Sequence, residues 1–264
     1  MKKLLSLLLL TGTLFAQANN VFTLNPSVNS AGMGNVGIAH ADVKNVFHNP
    51  AFAGLRESHQ EVSYVDWLPN LTDDMGYQSI LVTSDMGWSS EIFYFNYGTQ
   101  TQADSGGIII GDFESSSYRV SGGYGFGIGD WLFGARLNLY NHNFIDSFDI
   151  DMNYGFDIGA YKEFGNTSVG IVLKDVGGET KFLDQELNLP MSVGIGVGQK
   201  LGNFTLASDV KIYEDYNSIG LGGVYDLGIA SLKLGYYTES EFEVDYITLG
   251  GSIDAGIVDL SLAY

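Results

Sequence analysis

The chain has 264 residues, a formal net charge of −19 at pH 7 and no cysteine. Without cysteine there can be no disulfide and no lipid-modified N-terminal cysteine, and the negative charge argues against nucleic acid or an anionic lipid surface as a partner. Proline is scarce and no low-complexity run interrupts the sequence, which indicates one large domain rather than two linked ones.

The first predicted element is a secretory signal peptide at residues 1–18. Two lysines at 2–3 precede an apolar run at 4–10, and the Ala-Gln-Ala triplet at 16–18 has the small residues of a cleavage site. The apolar run is shorter than the roughly 20 residues that a membrane-spanning helix needs. We therefore expect export, followed by cleavage after Ala18.

Residues 19–59 fit neither the helical nor the strand pattern. Small residues and short apolar pieces are interrupted there by Asn-Pro pairs at 25–26 and 49–50, which favour turns. The segment is about 40 residues long, a length that suits a plug, or hatch, inside a barrel.

Residues 60–264 form a succession of short segments in which apolar residues alternate with polar or small ones, the period of a β-strand. In one of them, valine and isoleucine alternate with Gly194, Gly196 and Gly198. Glycine-lined faces suit a barrel interior against which another piece of chain packs closely. The segments interpreted as strands are 60–68, 77–85, 89–98, 116–126, 130–141, 153–164, 166–175, 190–200, 203–213, 217–226, 229–238, 245–254 and 256–264.

This pattern predicts an all-β fold, a transmembrane antiparallel β-barrel. A strand and its turn use about 15 residues, so the segment at 60–264 supplies about 13 or 14 strands. We expect about 14, within about 12–14, because single-chain bacterial barrels usually have an even number. The thirteen segments are therefore one off an even number: either there is one more strand, for which 106–111 is a candidate, or two of the segments belong to one strand. The domain organisation is then a signal peptide at 1–18, a hatch at 19–59 and a barrel at 60–264.

The last segment, 256–264, ends on the aromatic ring of Tyr264. Aromatic residues concentrate at the membrane interfaces of outer-membrane barrels, which close with such a strand. Together with the signal peptide, this ending indicates the bacterial outer membrane as the location and outer-membrane lipid as a partner.

The stretch at 30–55, SAGMGNVGIAHADVKNVFHNPAFAGL, contains a Gly-Met-Gly element, an alanine, an acidic residue, Asn-Pro-Ala and Gly-Leu. In this order it resembles the PorV/PorQ family within the FadL-type outer-membrane barrels, and short matches follow at 157–159, 174–177 and 189–190. The resemblance implies a barrel with its N-terminal segment inside as a hatch. That family usually carries one more strand after the segment that matches 257–264. The motif residues are Gly32, Met33, Gly34, Ala39, Asp42, Asn49, Pro50, Ala51, Gly54 and Leu55.

The resemblance also implies a non-enzymatic role in type IX protein secretion, with other secretion-system proteins or secreted cargo as partners. The alternative is a FadL-like transporter of hydrophobic small molecules, which would need a lateral opening and an apolar pocket against the hatch. A purely structural membrane protein is the third reading. We expect no enzyme activity, no cofactor and no nucleic acid as a partner.

Five charged residues fall on the expected inner faces of the strands: Arg136, Asp157, Asp209, Lys211 and Lys233. Buried charges must pair or meet water, so we expect these residues to stabilise the lumen and anchor the hatch. A substrate path through them is the alternative.

The acidic run at 146–151 is a weak candidate for calcium, because Ca²⁺ takes several oxygen ligands from flexible loops. The ligands would be Asp146, Asp149 and Asp151, although the run lacks the glycine and the terminal glutamate of a calcium loop.

Three of the four histidines, His40, His48 and His59, lie close together in the sequence. Their spacing matches no common metal-ligand pattern, so we expect hydrogen-bonded hatch residues and no metal. A hydrolase would pair a serine with His142 or a hatch histidine, but no serine is singled out. The glycine-rich run at 123–129 lacks the helix that must follow a nucleotide-binding loop.

Overall fold

The computed structural model describes residues 18–264 except 68–71, 73, 105, 144–151, 179, 183–184, 241–243 and 257. The signal peptide, apart from Ala18, lies outside the described residues, as do the three candidate calcium ligands Asp146, Asp149 and Asp151.

Thirteen strands form one antiparallel sheet. They are β1 (His59–Asp66), β2 (Gly76–Thr83), β3 (Trp88–Ala103), β4 (Ile109–Ile128), β5 (Trp131–Asn143), β6 (Asn153–Phe164), β7 (Thr167–Gly177), β10 (Ser192–Leu201), β11 (Phe204–Tyr213), β12 (Asn217–Asp226), β13 (Ala230–Glu239), β14 (Val244–Asp254) and β15 (Asp259–Ala263). A separate hairpin of β8 (Thr180–Phe182) and β9 (Gln185–Leu187) lies between β7 and β10 in sequence, so β7 pairs directly with β10.

The candidate strand at 106–111 does not exist as a separate element. Residues 106–111 contain the end of the turn after β3 and the start of β4, which begins at Ile109. The prediction failed because β3 and β4 have 16 and 20 residues, which is longer than a membrane strand of about 9–11. A register shift between Asn96 and Thr99 also interrupts the alternation of β3 and β4 near the turn that joins them.

Exposed apolar residues alternate with buried small or polar residues along the strands, because one face of the sheet meets lipid and the other meets the interior. In β10, Val193, Ile195 and Val197 are exposed, whereas Gly194 and Gly196 are buried. The β-branched residues favour extended backbone, and their outward apolar surface matches the hydrocarbon of a bilayer. The same side chains therefore specify both the strand and its surroundings.

Tight hairpins join several strand pairs. Gly129, Gly165 and Gly202 begin two-residue turns after β4, β6 and β10, with φ angles of 59°, 65° and 63°. Positive φ is required in the turns that match the twist of antiparallel strands, and Gly-Asp or Gly-Asn supplies it. These turns hold each of the three strand pairs in register.

The N-terminal segment, residues 18–58, forms no strand. It contains 3-10 helices at Ala18–Thr23, Val43–Asn45 and Pro50–Leu55, and one α-helical turn at Val28–Ala31. None of the helices in the described part of the chain combines the length and apolar character needed to cross a membrane.

This N-terminal segment packs against every strand of the sheet. A single segment can do so only if the sheet curves around it, so the sheet is the wall of a barrel and the segment lies inside. The expected all-β transmembrane barrel is therefore confirmed. Wall residues that pack against or bond to the segment include, from β1 to β15, Ser63, Ser79, Phe93, Arg119, Gly134, Gly159, Gly170, Gly196, Asp209, Gly222, Gly235, Gly250 and Asp259.

The hydrophobic core lies between this segment and the inner wall. Phe22 is fully buried in one cluster, where its ring centroid is 4.8 Å from that of Tyr140. Phe52 is fully buried in a second cluster and meets Tyr161 edge-on at 5.1 Å. Burying each such side chain contributes about 1.5–3 kcal/mol, so these contacts fix the segment to the wall.

Candidate functional site

The Gly-Met-Gly element passes over the inner face of β12 to β14. Met33 is fully buried, and the Gly34 amide donates a hydrogen bond to Thr248 Oγ1 at 2.9 Å. Gly34 has a φ of +68°, and a β-carbon there would lie 2.6 Å from the carbonyl oxygen of Tyr236. L-residues rarely adopt this conformation, so both backbone and space require glycine. At Gly32, a β-carbon would lie 2.9 Å from the Gly250 Cα.

The Asn-Pro-Ala element begins the helix Pro50–Leu55. The Asn49 side chain caps this helix by accepting a hydrogen bond from the Ala51 amide at 3.1 Å. Its Nδ2 donates to the carbonyls of Ile38 at 3.0 Å and Ala160 at 3.2 Å. Asn49 therefore joins two parts of the N-terminal segment to β6. Proline fits the first helical position, where an amide hydrogen would lack a partner.

The remaining motif residues also meet the wall or cap a helix. Asp42 caps Val43–Asn45 by accepting from the Lys44 amide at 2.9 Å. The Ala39 carbonyl accepts from Ser168 Oγ at 2.7 Å. Gly54 lies against the backbone of β4, and Leu55 packs on the second core cluster.

All five charged residues expected on the inner wall point inward. Asp209 accepts hydrogen bonds from the amides of Gly37 at 2.7 Å and Ile38 at 2.9 Å. Lys211 Nζ donates to the Asn35 carbonyl at 3.3 Å, and Lys233 Nζ donates to Asn29 Oδ1. These three wall residues therefore hold the backbone and side chains of residues 29–38.

The other two charges belong to a network along β3 to β7. Arg136 forms an ion pair with Glu91, which also pairs with Arg119 at 3.0 Å. Asp157 accepts a hydrogen bond from the Asp175 amide at 2.8 Å. The structure thus separates the five predicted residues into two groups on different parts of the wall.

Four members of this network were not singled out in the sequence: Glu91, Arg119, Lys174 and Phe47. Arg119 Nη1 donates to the Phe22 carbonyl at 2.7 Å, and its guanidinium carbon lies 4.7 Å from the Phe47 ring centroid. Lys174 Nζ lies 3.5 Å from the same centroid. Cation–π attraction is strong where the groups are desolvated. Phe47 therefore anchors the segment between two buried cations.

Two histidines, His48 and His142, lie within hydrogen-bonding distance of a serine hydroxyl. His48 Nε2 lies 2.9 Å from Ser30 Oγ, and burial together with nearby lysines holds the pKa of His48 well below its usual range. Ser117 Oγ lies 2.6 Å from His142 Nδ1 on the wall. Within the described ranges, no three His, Asp or Glu side chains are grouped so as to hold a metal ion.

An apolar cleft of about 920 Å³ opens on the outer face of β10 to β14. Gly222 and Gly235 line it, and a β-carbon on Gly222 would meet Met33 Cβ at 2.9 Å on the inner side. Two glycine backbones therefore separate the cleft from the N-terminal segment. The large apolar side chains around it are Val197, Phe204, Leu206, Leu221, Tyr225, Leu232, Leu234, Tyr236 and Ile247.

The fold and this filled interior define the class of protein: a transmembrane antiparallel β-barrel whose fold is shared with two solved transporters of low sequence identity. The toluene transporter TodX of P. putida has 13% identity, covering 89% of this chain and 90% of that chain, with a TM-score of 0.58. The toluene transporter TbuX of Ralstonia pickettii has 14% identity, covering 91% and 92%, with a TM-score of 0.59. No protein-family model and no curated protein sequence matches the chain.

Proposed function

We propose that the protein is a non-enzymatic transporter of hydrophobic small molecules across the outer membrane, with residues 19–59 as its hatch. The observation that carries the proposal is the apolar cleft against Gly222 and Gly235, where only backbone separates the lipid side from Met33. The shared fold with two toluene transporters supports it.

The cleft has the size and chemistry for such a ligand. Its volume of about 920 Å³ is at the upper end of typical small-molecule sites, which measure about 300–1,000 Å³. Because the outer face of the wall meets lipid, an apolar molecule can enter the cleft from the bilayer without crossing water. Gly222 and Gly235 are paired across β12 and β13, so a connection between the cleft and the interior requires local separation of these two strands together with displacement of Met33 and Gly34.

Uptake of radiolabelled toluene by cells that carry the protein in their outer membrane tests the proposal. We expect uptake above that of cells without the protein, and a several-fold loss in the variant Leu234→Trp, which fills the cleft. Ile195→Trp is the matched control, since Ile195 is also an exposed outward residue but does not line the cleft. Uptake no greater than in cells without the protein would refute the proposal. An equal loss of uptake in the two variants would show that the cleft is not part of the transport path.

The second candidate function is type IX-like protein secretion, with secretion-system proteins or cargo as partners. It rests on the resemblance of residues 30–55 to the PorV/PorQ family. Gentle extraction from the membranes of the source cells tests it, because a secretion component should copurify with the protein. Recovery of the barrel without any secretion component or cargo would count against this function.

We also propose that the chain is exported by cleavage after Ala18 and resides in the outer membrane. The intact mass of protein purified from that membrane should correspond to a chain that begins at Asn19. A mass that includes residues 1–18 would contradict the cleavage.

A further inference from the structure

A serine interrupts the outward apolar stripe of β11. The outward residues of this strand are, in chain order, Phe204, Leu206, Ser208, Val210 and Ile212, and the four apolar ones are exposed. Two apolar positions therefore lie on each side of Ser208 along the strand. This places its hydroxyl at the depth of the hydrocarbon, away from the ester and headgroup oxygens of the lipid.

The hydroxyl of Ser208 has no partner of its own in the wall. Within the described ranges of the chain, no hydrogen bond joins Ser208 Oγ to another residue. Since hydrocarbon holds no water, an unsatisfied hydroxyl at this depth is costly. An alanine would fill the same position without this cost, so the serine indicates a bound molecule that completes its hydrogen bonding.

Ser208 lies at the floor of the apolar cleft described above. Its neighbours across the sheet are Val197 on β10 and Leu221 on β12, which are outward and exposed. Gly223, the next outward residue of β12, adds a second position without bulk. Small residues between larger ones make the depression, and its floor therefore contains a hydrogen-bonding group.

The lining of the cleft offers no counter-charge to a ligand. Of the described residues that line it, only Lys233 is charged, and its Nζ lies on the inner side of the wall, where it donates to Asn29 Oδ1. A charged ligand would remain unpaired in an apolar site, which is costly. The occupant that fits is therefore neutral.

We propose that the cleft binds neutral apolar molecules that carry one hydroxyl or carbonyl oxygen, such as an alkylphenol, and that Ser208 recognises this oxygen. A serine hydroxyl has one donor and two acceptor positions, so it can donate to a carbonyl or accept from a phenol O–H. The rest of the molecule contacts the apolar lining, an arrangement in which a single polar group fixes orientation. The inference rests on the proposed transport function and names its substrate class.

Toluene and p-cresol are the matched probes, because p-cresol is toluene with one added hydroxyl. Equilibrium dialysis of each radiolabelled compound against the protein in bilayer nanodiscs, with retention by empty nanodiscs subtracted, gives the two dissociation constants. The variant Ser208→Ala removes the hydroxyl and leaves the cleft open. Ser90→Ala is the matched control, since Ser90 is an exposed outward serine of β3 that does not line the cleft.

We expect Ser208→Ala to weaken p-cresol binding about three- to tenfold, the effect of one hydrogen bond, and toluene binding by less than about twofold. Ser208→Thr keeps a hydroxyl, so the ratio of the two dissociation constants should stay within about twofold of the wild type. Ser90→Ala should change neither constant. Equal effects of Ser208→Ala on both compounds, or no effect on p-cresol, would overturn the proposal. Retention of neither compound above empty nanodiscs would also overturn it.

The binding measurement separates this inference from the transport function on which it rests. Uptake of both compounds that is insensitive to Ser208→Ala, together with unchanged binding, would overturn the role of Ser208 and leave transport standing. Binding of p-cresol that depends on Ser208, without any uptake by cells, would support the recognition site and refute transport.

Discussion

Replacing Glu91 with glutamine tests whether the buried ion network holds the barrel and its N-terminal segment together. Glu91 is buried between Arg119 and Arg136, and it forms an ion pair with each. Glutamine keeps the shape of the side chain but removes its charge. Two buried guanidinium groups then lose their shared counter-charge.

The size of the effect follows from the geometry. At the 3.0 Å distance between Arg119 Nη2 and Glu91 Oε1, the Coulomb attraction is about 5.5 kcal/mol for an effective dielectric constant of about 20. Part of this is offset because the carboxylate no longer has to be desolvated, and breaking a buried pair costs about 3–5 kcal/mol in practice. Since both arginines are affected, we expect the upper part of that range, about 4–5 kcal/mol.

Reversible urea unfolding in detergent micelles measures this loss as a change in the free energy of unfolding. Asp259→Asn is the matched control, because it breaks the half-exposed ion pair with Lys44 and should cost no more than about 1 kcal/mol. A Glu91→Gln variant within about 1 kcal/mol of the wild type, or equal to the control, would refute the reasoning.

Three further substitutions address the N-terminal segment by the same unfolding measurement. Gly34→Ala should lower the free energy of unfolding by more than about 2 kcal/mol, because Gly34 has a positive φ and a β-carbon there would contact Tyr236. Gly122→Ala is the control: its β-carbon meets open space, so the free energy of unfolding should stay the same or rise, and equal effects of the two variants would contradict this. Asn49→Ala should cost about 1–2 kcal/mol by loss of the helix cap, and no loss would refute the capping role. The pKa of His48 is lowered in the folded state, so below about pH 6.5 the unfolded chain binds a proton that the folded protein does not. The wild type should therefore lose stability relative to His48→Gln as the pH falls below about 6.5. A difference in the free energy of unfolding between the two proteins that does not change with pH would contradict this.

The positions of the strands could be predicted because lipid on one side and close packing on the other impose a strict alternation. β6 and β12 coincide with the segments predicted at 153–164 and 217–226. Outside the membrane this constraint is absent. The sequence pattern therefore suggested 106–111 as a candidate for a separate strand, which does not form, and it contained no sign of the β8–β9 hairpin.

The charged wall residues were predictable in orientation but not in their partners. Alternation alone places Asp209 on the inner face, and it would have placed Glu91 there too, on the same face as Ser89 and Phe93. The residues that they meet lie in the N-terminal segment, which has no periodicity. The folded path of that segment therefore decides which carbonyl, amide or ring faces a given strand. Phe47 is an example, because only the fold brings its ring between Arg119 and Lys174.

The bonds between wall and N-terminal segment limit how this segment can move. At least five charge-assisted hydrogen bonds join the two, through Asp209, Lys211, Lys233 and Arg119. Charge-assisted bonds contribute about 1.5–3 kcal/mol each, so withdrawing the whole segment into a dry interior would cost about 10 kcal/mol from these bonds alone. A state at that free energy is populated by fewer than about one molecule in ten million. The proposed passage of a small molecule therefore requires a local displacement instead of withdrawal of the whole segment: Met33 moves, and β12 and β13 separate beside Gly222 and Gly235, which lie between Met33 and the outer cleft.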